Sequence, residues 1–341
     1  MAKKDLKIED IGEIGFIQAI KDNCHFSHKK LIKGIGDDCA VIGPYGNKVL
    51  LITTDSLLEN VHFIREKIPP EHLGQKAAAV NFSDIAAMGG KALHLFLSLA
   101  IPESTSVKTL LDIYRGIKMM CRRHRVNIMG GDTTASPDGL MINVTVIGEA
   151  HEKEVLYRNG ARPGHGVYVT GSLGDSAAGL KLIREEACAP EALASTLKAA
   201  HNLPVPFLEA GLFIARSRLA SSMIDLSDGL LSDLKHICEA SGVGATLFHA
   251  DLPISKELIS LARANNFDPH ELAISGGEDY KLLVTVPQIN AEPFEKMFEH
   301  GVPCQIHRVG EIKKNMGIKI IAPNGTEKKM KLAGFEHFLR S

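Results

Sequence analysis

The 341-residue chain is 45% apolar, more material than one hydrophobic core normally absorbs, so two domains are expected. Its 39 Lys plus Arg nearly cancel 40 Asp plus Glu, which excludes an overall field drawing it onto nucleic acid or an anionic membrane. The six cysteines are widely spaced with no C-x-x-C pair, which excludes a disulfide scaffold and suits reduced thiols in a cytosol.

The start, MAKKDLKIEDIGE, places charges where a signal peptide needs an uninterrupted apolar stretch. The strongest apolar run, residues 93–101, is too short to span a bilayer, so a cytoplasmic protein is expected. Short β-type runs then alternate with longer helical ones, which predicts an α/β (α+β) architecture. Residues 49–54 read as a strand, 71–88 as an Ala-rich helix, 94–100 as a strand and 107–124 as a helix with apolar residues three and four apart. Residues 140–148 alternate like a strand with one wet face. The helix at 107–124 ends in Arg122-Arg123-His124-Arg125, where cations meet the helix dipole and water rather than nucleic acid. The polar stretch 151–166, with Asn159-Gly160 and Pro163-Gly164 as turn dipeptides, marks a domain boundary. Domains of residues 1–150 and 151–341 are therefore expected. Beyond the boundary strands are predicted at 167–170, 223–226, 245–248 and 281–286, and helices at 175–186, 207–217, 228–241, 256–265 and 292–300. Two short strands precede 334–338.

Aspartates recur where apolar segments end, beside glycine or hydroxyl residues. They are Asp37-Asp38 in GIGDDCAVI, Asp55 in LLITTDSL, Asp84 in AVNFSDIAAMGG, Asp132 in NIMGGDTT, and Asp225 with Asp228 in MIDLSDGLLSDL. In open α/β sheets the strand termini line the ligand crevice. Carboxylates converging there resist ionising unless a cation neutralises them, and magnesium suits oxygen ligands while bridging to substrate phosphates. Any one of these aspartates has a plain alternative as an N-cap or turn residue, as Asp228 before GLLSDLKHICEA illustrates. Five segments repeating one design outweigh that alternative. Asp233, a turn and a half into the same helix, is expected on a solvated face.

Glycine pairs accompany the carboxylates, and GSLGDSAAGL leads into a helix whose N-terminus would favour phosphate. Neither G-x-x-x-x-G-K-[ST] nor G-x-G-x-x-G is present, so P-loop and Rossmann readings have little support. His62 in ENVHF, Arg158 in YRNGARPG and Glu278-Asp279 in SGGEDYKL are polar candidates whose roles the residues alone leave open.

The ordered series GDD, TTDSLLENVHF, AVNFSDIAAMGG, GGDTT, YRNGARPG, GSLGDSAAGL, IDLSDGL and SGGEDY resembles the thiamine-monophosphate kinases. That family sits in a superfamily with aminoimidazole-ribonucleotide synthetase, selenophosphate synthetase and a hydrogenase-maturation protein. The resemblance runs from Gly34 to GFEHF at Gly334. It implies a two-domain fold whose N-terminal domain dimerises through its sheet, and transfer of the γ-phosphoryl of ATP onto thiamine monophosphate. It implies magnesium held by Asp38, Thr53, Thr54, Asp55, Asp84, Asp132, Asp225 and Asp228. It also implies ATP contacts from Tyr114, Gly131, Asp132, Arg158 and Ser227, and thiamine-side contacts from His62, Glu278 and Phe335. Where the family often has Ser-Thr-Asp, this chain has Thr53-Thr54-Asp55, which keeps the hydroxyl and the carbonyl. No catalytic side chain is expected, because an anionic acceptor phosphate needs no general base and phosphoryl transfer asks mainly for positioning and charge neutralisation. The rivals are a sister synthetase with another acceptor and a nucleotide-binding protein without turnover.

Overall fold

A computed structural model describes residues 7–302 and 304–328. The first half runs α1 (Ile8–Ile20), β1 (Leu31–Lys33), β2 (Ala40–Tyr45), β3 (Lys48–Leu58), α2 (Pro70–Ala87), β4 (Lys91–Pro102), α3 (Val107–His124), β5 (Asn127–Ser136) and β6 (Met141–His151). Its six strands form one sheet in the order β1-β2-β3-β6-β4-β5, antiparallel except for the β4–β5 pair. Along β6 the side chains alternate, with Ile142, Val144, Val146 and Ala150 buried and the intervening residues half exposed, as the sequence alternation predicts.

α3 spans the predicted residues. Ser106 caps it by accepting from Thr109 N at 3.1 Å, and Arg122, Arg123 and His124 lie in its last turn. α2 has no polar face, because it packs on α3, β3 and β6 on one side and on later elements of the chain on the other. Its alanines allow that close packing on all sides.

The second half runs β7 (Gly166–Thr170), α4 (Asp175–Ile183), α5 (Glu191–Asn202), α6 (Leu208–Ser217), β8 (Ser222–Asp225), α7 (Leu230–Ser241), β9 (Gly244–Phe248), α8 (Lys256–Asn265), α9 (Pro269–Ser275), β10 (Leu282–Val286), α10 (Ala291–Gly301), β11 (Ile306–Lys313), β12 (Gly317–Ile321) and β13 (Glu327–Lys328). Here seven strands are ordered β13-β12-β9-β11-β7-β10-β8, with only β9–β12 parallel. β7, β8 and β10 are buried along their whole length, which accounts for their lack of polar alternation. α6 and β8 supply the second wall around α2.

Seven elements carry no prediction: α1, β1, β2, β5, α5, α9 and one of the three strands β11, β12 and β13, where two were expected. β5 is the instructive one, since its NIMGGDTT reads as a glycine turn. The ladder instead continues through Gly130 and Gly131 at φ 151° and 157°, and a Cβ on Gly131 would lie 1.6 Å from the Leu97 carbonyl oxygen of β4. The glycine permits close strand approach. α7 begins at Leu230, because Gly229 at φ 110° keeps Asp228 in the loop that follows β8.

Candidate active site

The last turns of α2 run between the two sheets, and closely spaced polar residues there hydrogen-bond to carboxylate-bearing residues from both. Asn81, fully buried, accepts from the Asp55 backbone N–H of β3 at 3.1 Å. Ser83 donates to Asp225 Oδ2 of β8 at 2.7 Å, and Thr53 of β3 donates to Asp84 Oδ2. Carboxylate oxygens of Asp38, Asp84 and Asp225 consequently lie within 4.8 Å of one another.

Arg158 closes the group from the segment between the sheets. Its Nε and Nη2 both donate to Asp38 Oδ1, at 3.0 and 2.6 Å, and its backbone N–H donates to Asp37 Oδ1 at 3.1 Å. Lys33 Nζ stands 3.1 Å from Asp37 Oδ2. Asp38 Oδ2 is buried without a hydrogen-bond partner among the described residues. A buried carboxylate oxygen left open beside two further carboxylates suits a cation by its donor chemistry.

The electrostatics agree. Burial pushes the Asp38 carboxyl up to about 6 against the pull of Arg158, and pushes Asp225 up to about 8, with the Asp38 charge adding to it. Asp84 is held well above the usual carboxylate range by desolvation and then by the charges of Asp55, Asp225 and Asp38. Each folded-state pKa exceeds the unfolded value near 3.9, so the folded chain binds more protons across that interval. Without divalent cation, stability therefore falls as pH rises from about 4 to about 8. Cation binding displaces those protons, so the magnesium-induced rise in melting temperature is expected to be larger at about pH 8 than at about pH 5. Melts in chelator and in magnesium at both pH values check this; an equal rise would contradict it.

These carboxylates line a cavity of about 740 Å³ between the two halves, together with Thr53, Thr54, Asp55, His62, Arg158, Ser227, Asp228, Glu278 and Glu13 of α1. The structure thus brings eleven of the candidate residues into one space. Tyr114, Gly131 and Asp132 are not among its walls: Tyr114 is half-buried on α3, and Gly131 and Asp132 lie exposed on the edge strand β5. Phe335 falls outside the described residues.

Two expectations change. Asp233 is 1% exposed, not solvated, because its carboxylate turns back to accept from the Asp228 and Gly229 backbone N–H groups at 3.2 and 3.1 Å. It therefore holds the Asp225–Asp228 loop in shape. The N-terminus of α4 is not open to phosphate, since Asp279 Oδ2 accepts from Gly174 N at 2.7 Å and Oδ1 from Ser176 N at 3.3 Å. An internal carboxylate supplies the anion that this helix end favours.

On the cavity wall Glu278 meets two residues that the sequence reading missed, Lys76 and His201. Lys76 Nζ donates to Glu278 Oε2 at 2.9 Å, and His201 Nδ1 lies 3.2 Å from the same oxygen. The available signal for Lys76 was compositional: within residues 76–88 the chain has only two ionisable side chains, Lys76 and Asp84.

Residues 36–150 match the family model of the AIR synthase related protein N-terminal domain, and residues 162–322 that of its C-terminal domain. The thiamine-monophosphate kinase of Aquifex aeolicus (strain VF5) is 34% identical over 333 residues, spanning 98% of this chain and 100% of that protein. The thiamine-monophosphate kinase of Escherichia coli (strain K12) is 36% identical over 341 residues, spanning 96% and 98%. The solved structure of AaThiL complexed with AMPPCP and TMP superposes with a TM-score of 0.86 at 34% identity, covering 98% of this chain and 100% of that one.

Proposed function

Because the chain belongs to the thiamine-monophosphate kinase family, we propose that it transfers the γ-phosphoryl group of ATP to the phosphate of thiamine monophosphate, giving thiamine diphosphate and ADP. The observation that carries this reading is one cavity lined both by the Asp38–Asp84–Asp225 cluster and by Glu278 with His62. A relative at 34% identity has been solved with AMPPCP and TMP together, which supports the same pair of substrates here.

Asp38, Asp84 and Asp225, with Asp55, Asp228, Thr53 and Thr54 around them, would hold magnesium. When bound, that ion neutralises the phosphates and offsets the repulsion among the carboxylates. Arg158 orients Asp38 and places a fixed positive charge at the cavity wall. Ser227 lines the same cavity and would contact the nucleotide. The acceptor phosphate is anionic at neutral pH, so no side chain has to remove a proton from it. The reading places no step on Tyr114, Gly131, Asp132 or Phe335.

Among the described residues no helix covers the outer face of the six-stranded sheet, which presents Leu58 and Phe96 exposed and Leu50, Ile52 and Ile147 partly exposed. This band supports a homodimer formed sheet to sheet, for which sedimentation would give twice the chain mass.

The assay is purified protein with ATP, magnesium and a panel of acceptors, followed by ADP release and product mass. ADP is expected with thiamine monophosphate, little with thiamine, and background only with formylglycinamidine ribonucleotide. Thiamine lacks the anionic oxygen, and its hydroxyl would need a base that the site does not offer. Equal turnover of thiamine and its monophosphate would sink the acceptor assignment.

A further inference from the structure

Lys76 is a lysine with no exposed surface, and all three of its N–H donors are engaged: Glu278 Oε2 at 2.9 Å, His201 Nε2 at 3.3 Å and the His62 carbonyl oxygen at 3.4 Å. An ammonium has no lone pair, so His201 Nε2 must accept from it. The ring proton then sits on Nδ1, which lies 3.2 Å from Glu278 Oε2 and 3.1 Å from Ser176 Oγ. The His201 ring is thereby fixed in one neutral tautomer, in keeping with burial and the Lys76 charge lowering its pKa to about 4. Burial alone would push the Glu278 carboxyl up, yet the Lys76 and His201 partners hold it below the ordinary glutamate value.

The backbone is committed to the same end. Glu278 sits at φ 64°, a left-handed conformation costly for a side chain with a Cβ, and its N–H donates to Ser227 O at 2.7 Å. Tyr280, at φ 49°, donates to Leu226 O at 2.7 Å. These two bonds tie the segment to the loop that carries Asp225 and Asp228. Among the described residues the Lys76 and His201 side chains both reach Glu278 Oε2, while Glu278 lines the cavity with its side chain 23% exposed.

We infer that Lys76 and His201 are positioning residues for the acceptor: they hold Glu278 by Oε2, so that Oε1 is presented to a hydrogen-bond donor or cation on the acceptor's ring system. This rests on the proposal that the acceptor is thiamine monophosphate, whose amine-bearing, cationic rings offer such groups. A buried ion pair that merely joined α2 to the second sheet would affect stability without distinguishing one substrate from the other.

The test compares Lys76→Met, Glu278→Gln and the double variant K76M/E278Q. Lys76→Met alone leaves a buried carboxylate without its counter-charge and is at risk of misfolding, whereas the double variant is neutral and keeps a folded reference. Folded Lys76→Met is expected to raise the KM for thiamine monophosphate by about tenfold or more, with the KM for ATP within about threefold. The double variant should match Glu278→Gln in that KM, because one residue acts through the other. Wild type should also prefer thiamine monophosphate over its analogue with hydroxyl in place of the ring amine, and the double variant should lose that preference. Additive effects, equal rises in both KM values, or a double variant with wild-type KM and preference would overturn the positioning role while leaving the kinase reading intact. A wild-type protein that releases no ADP with thiamine monophosphate would instead overturn the acceptor assignment, and this inference with it.

Discussion

Asp84→Asn should leave the protein folded and cut turnover by about a thousandfold. The substitution keeps size and can still accept from Thr53, but deletes one negative charge from the centre of the cluster, where Asp55, Asp225 and Asp38 all act on it. Two opposed effects separate with cation present or absent. In chelator at about pH 8 the variant should melt no lower than wild type, because a charge repelled by its neighbours is gone. In magnesium the wild type should gain more than the variant, because it retains the full donor set. Near-normal turnover in a folded variant would remove the cation site from the mechanism; a variant that melts far lower in chelator would show Asp84 to be structural instead.

Much of this arrangement was legible, for a physical reason. Asp38, Asp55, Asp84 and Asp225 sit beside glycine or hydroxyl residues at the ends of apolar runs, and strand ends open onto the crevice in such sheets. The boundaries of α3 and α8 were likewise readable, because Ser106 and Ser255 cap them and a left-handed residue ends each. β5 was not readable, because Gly-Gly signals a turn far more often than a strand whose backbone touches its neighbour. α5 was passed over, and its buried His201 matters through a contact with Lys76, 125 residues away. Asp233 misled for the opposite reason: a charged helix residue is expected in solvent, while the backbone N–H groups of Asp228 and Gly229 draw it back. Local pattern thus located the carboxylates, and long-range pairing decided which neighbours hold them.

The second large effect concerns Gly74. Helix propensity says that Gly74→Ala should stabilise α2 by about 1 kcal/mol. Packing says otherwise. A Cβ on Gly74 would lie 1.9 Å from the Ile113 carbonyl oxygen of α3, and a Cβ on Gly116 would lie 1.9 Å from the Glu71 carbonyl oxygen of α2. The two helices therefore cross backbone to backbone through reciprocal glycines. The obstacle is main chain, which cannot rotate aside, so the helices must separate and lose contacts across a fully buried interface. Gly211 on α6 repeats the device on the other side of α2, with its Cβ position 2.1 Å from the Ala86 carbonyl oxygen, two residues beyond Asp84. Overpacking of this kind costs about 3 kcal/mol, which exceeds the propensity gain, so Gly74→Ala is expected to destabilise by about 2 kcal/mol net. Because α2 also holds Asn81, Ser83 and Asp84 against both sheets, turnover should fall with stability. Lys118→Ala on the exposed face of α3 is the control, expected within about 0.5 kcal/mol of wild type. Chemical denaturation and turnover of Gly74→Ala, Gly116→Ala and Lys118→Ala decide the matter: a Gly74→Ala protein as stable as wild type would mean that α2 and α3 are free to part, and that the carboxylates do not depend on a rigidly seated α2.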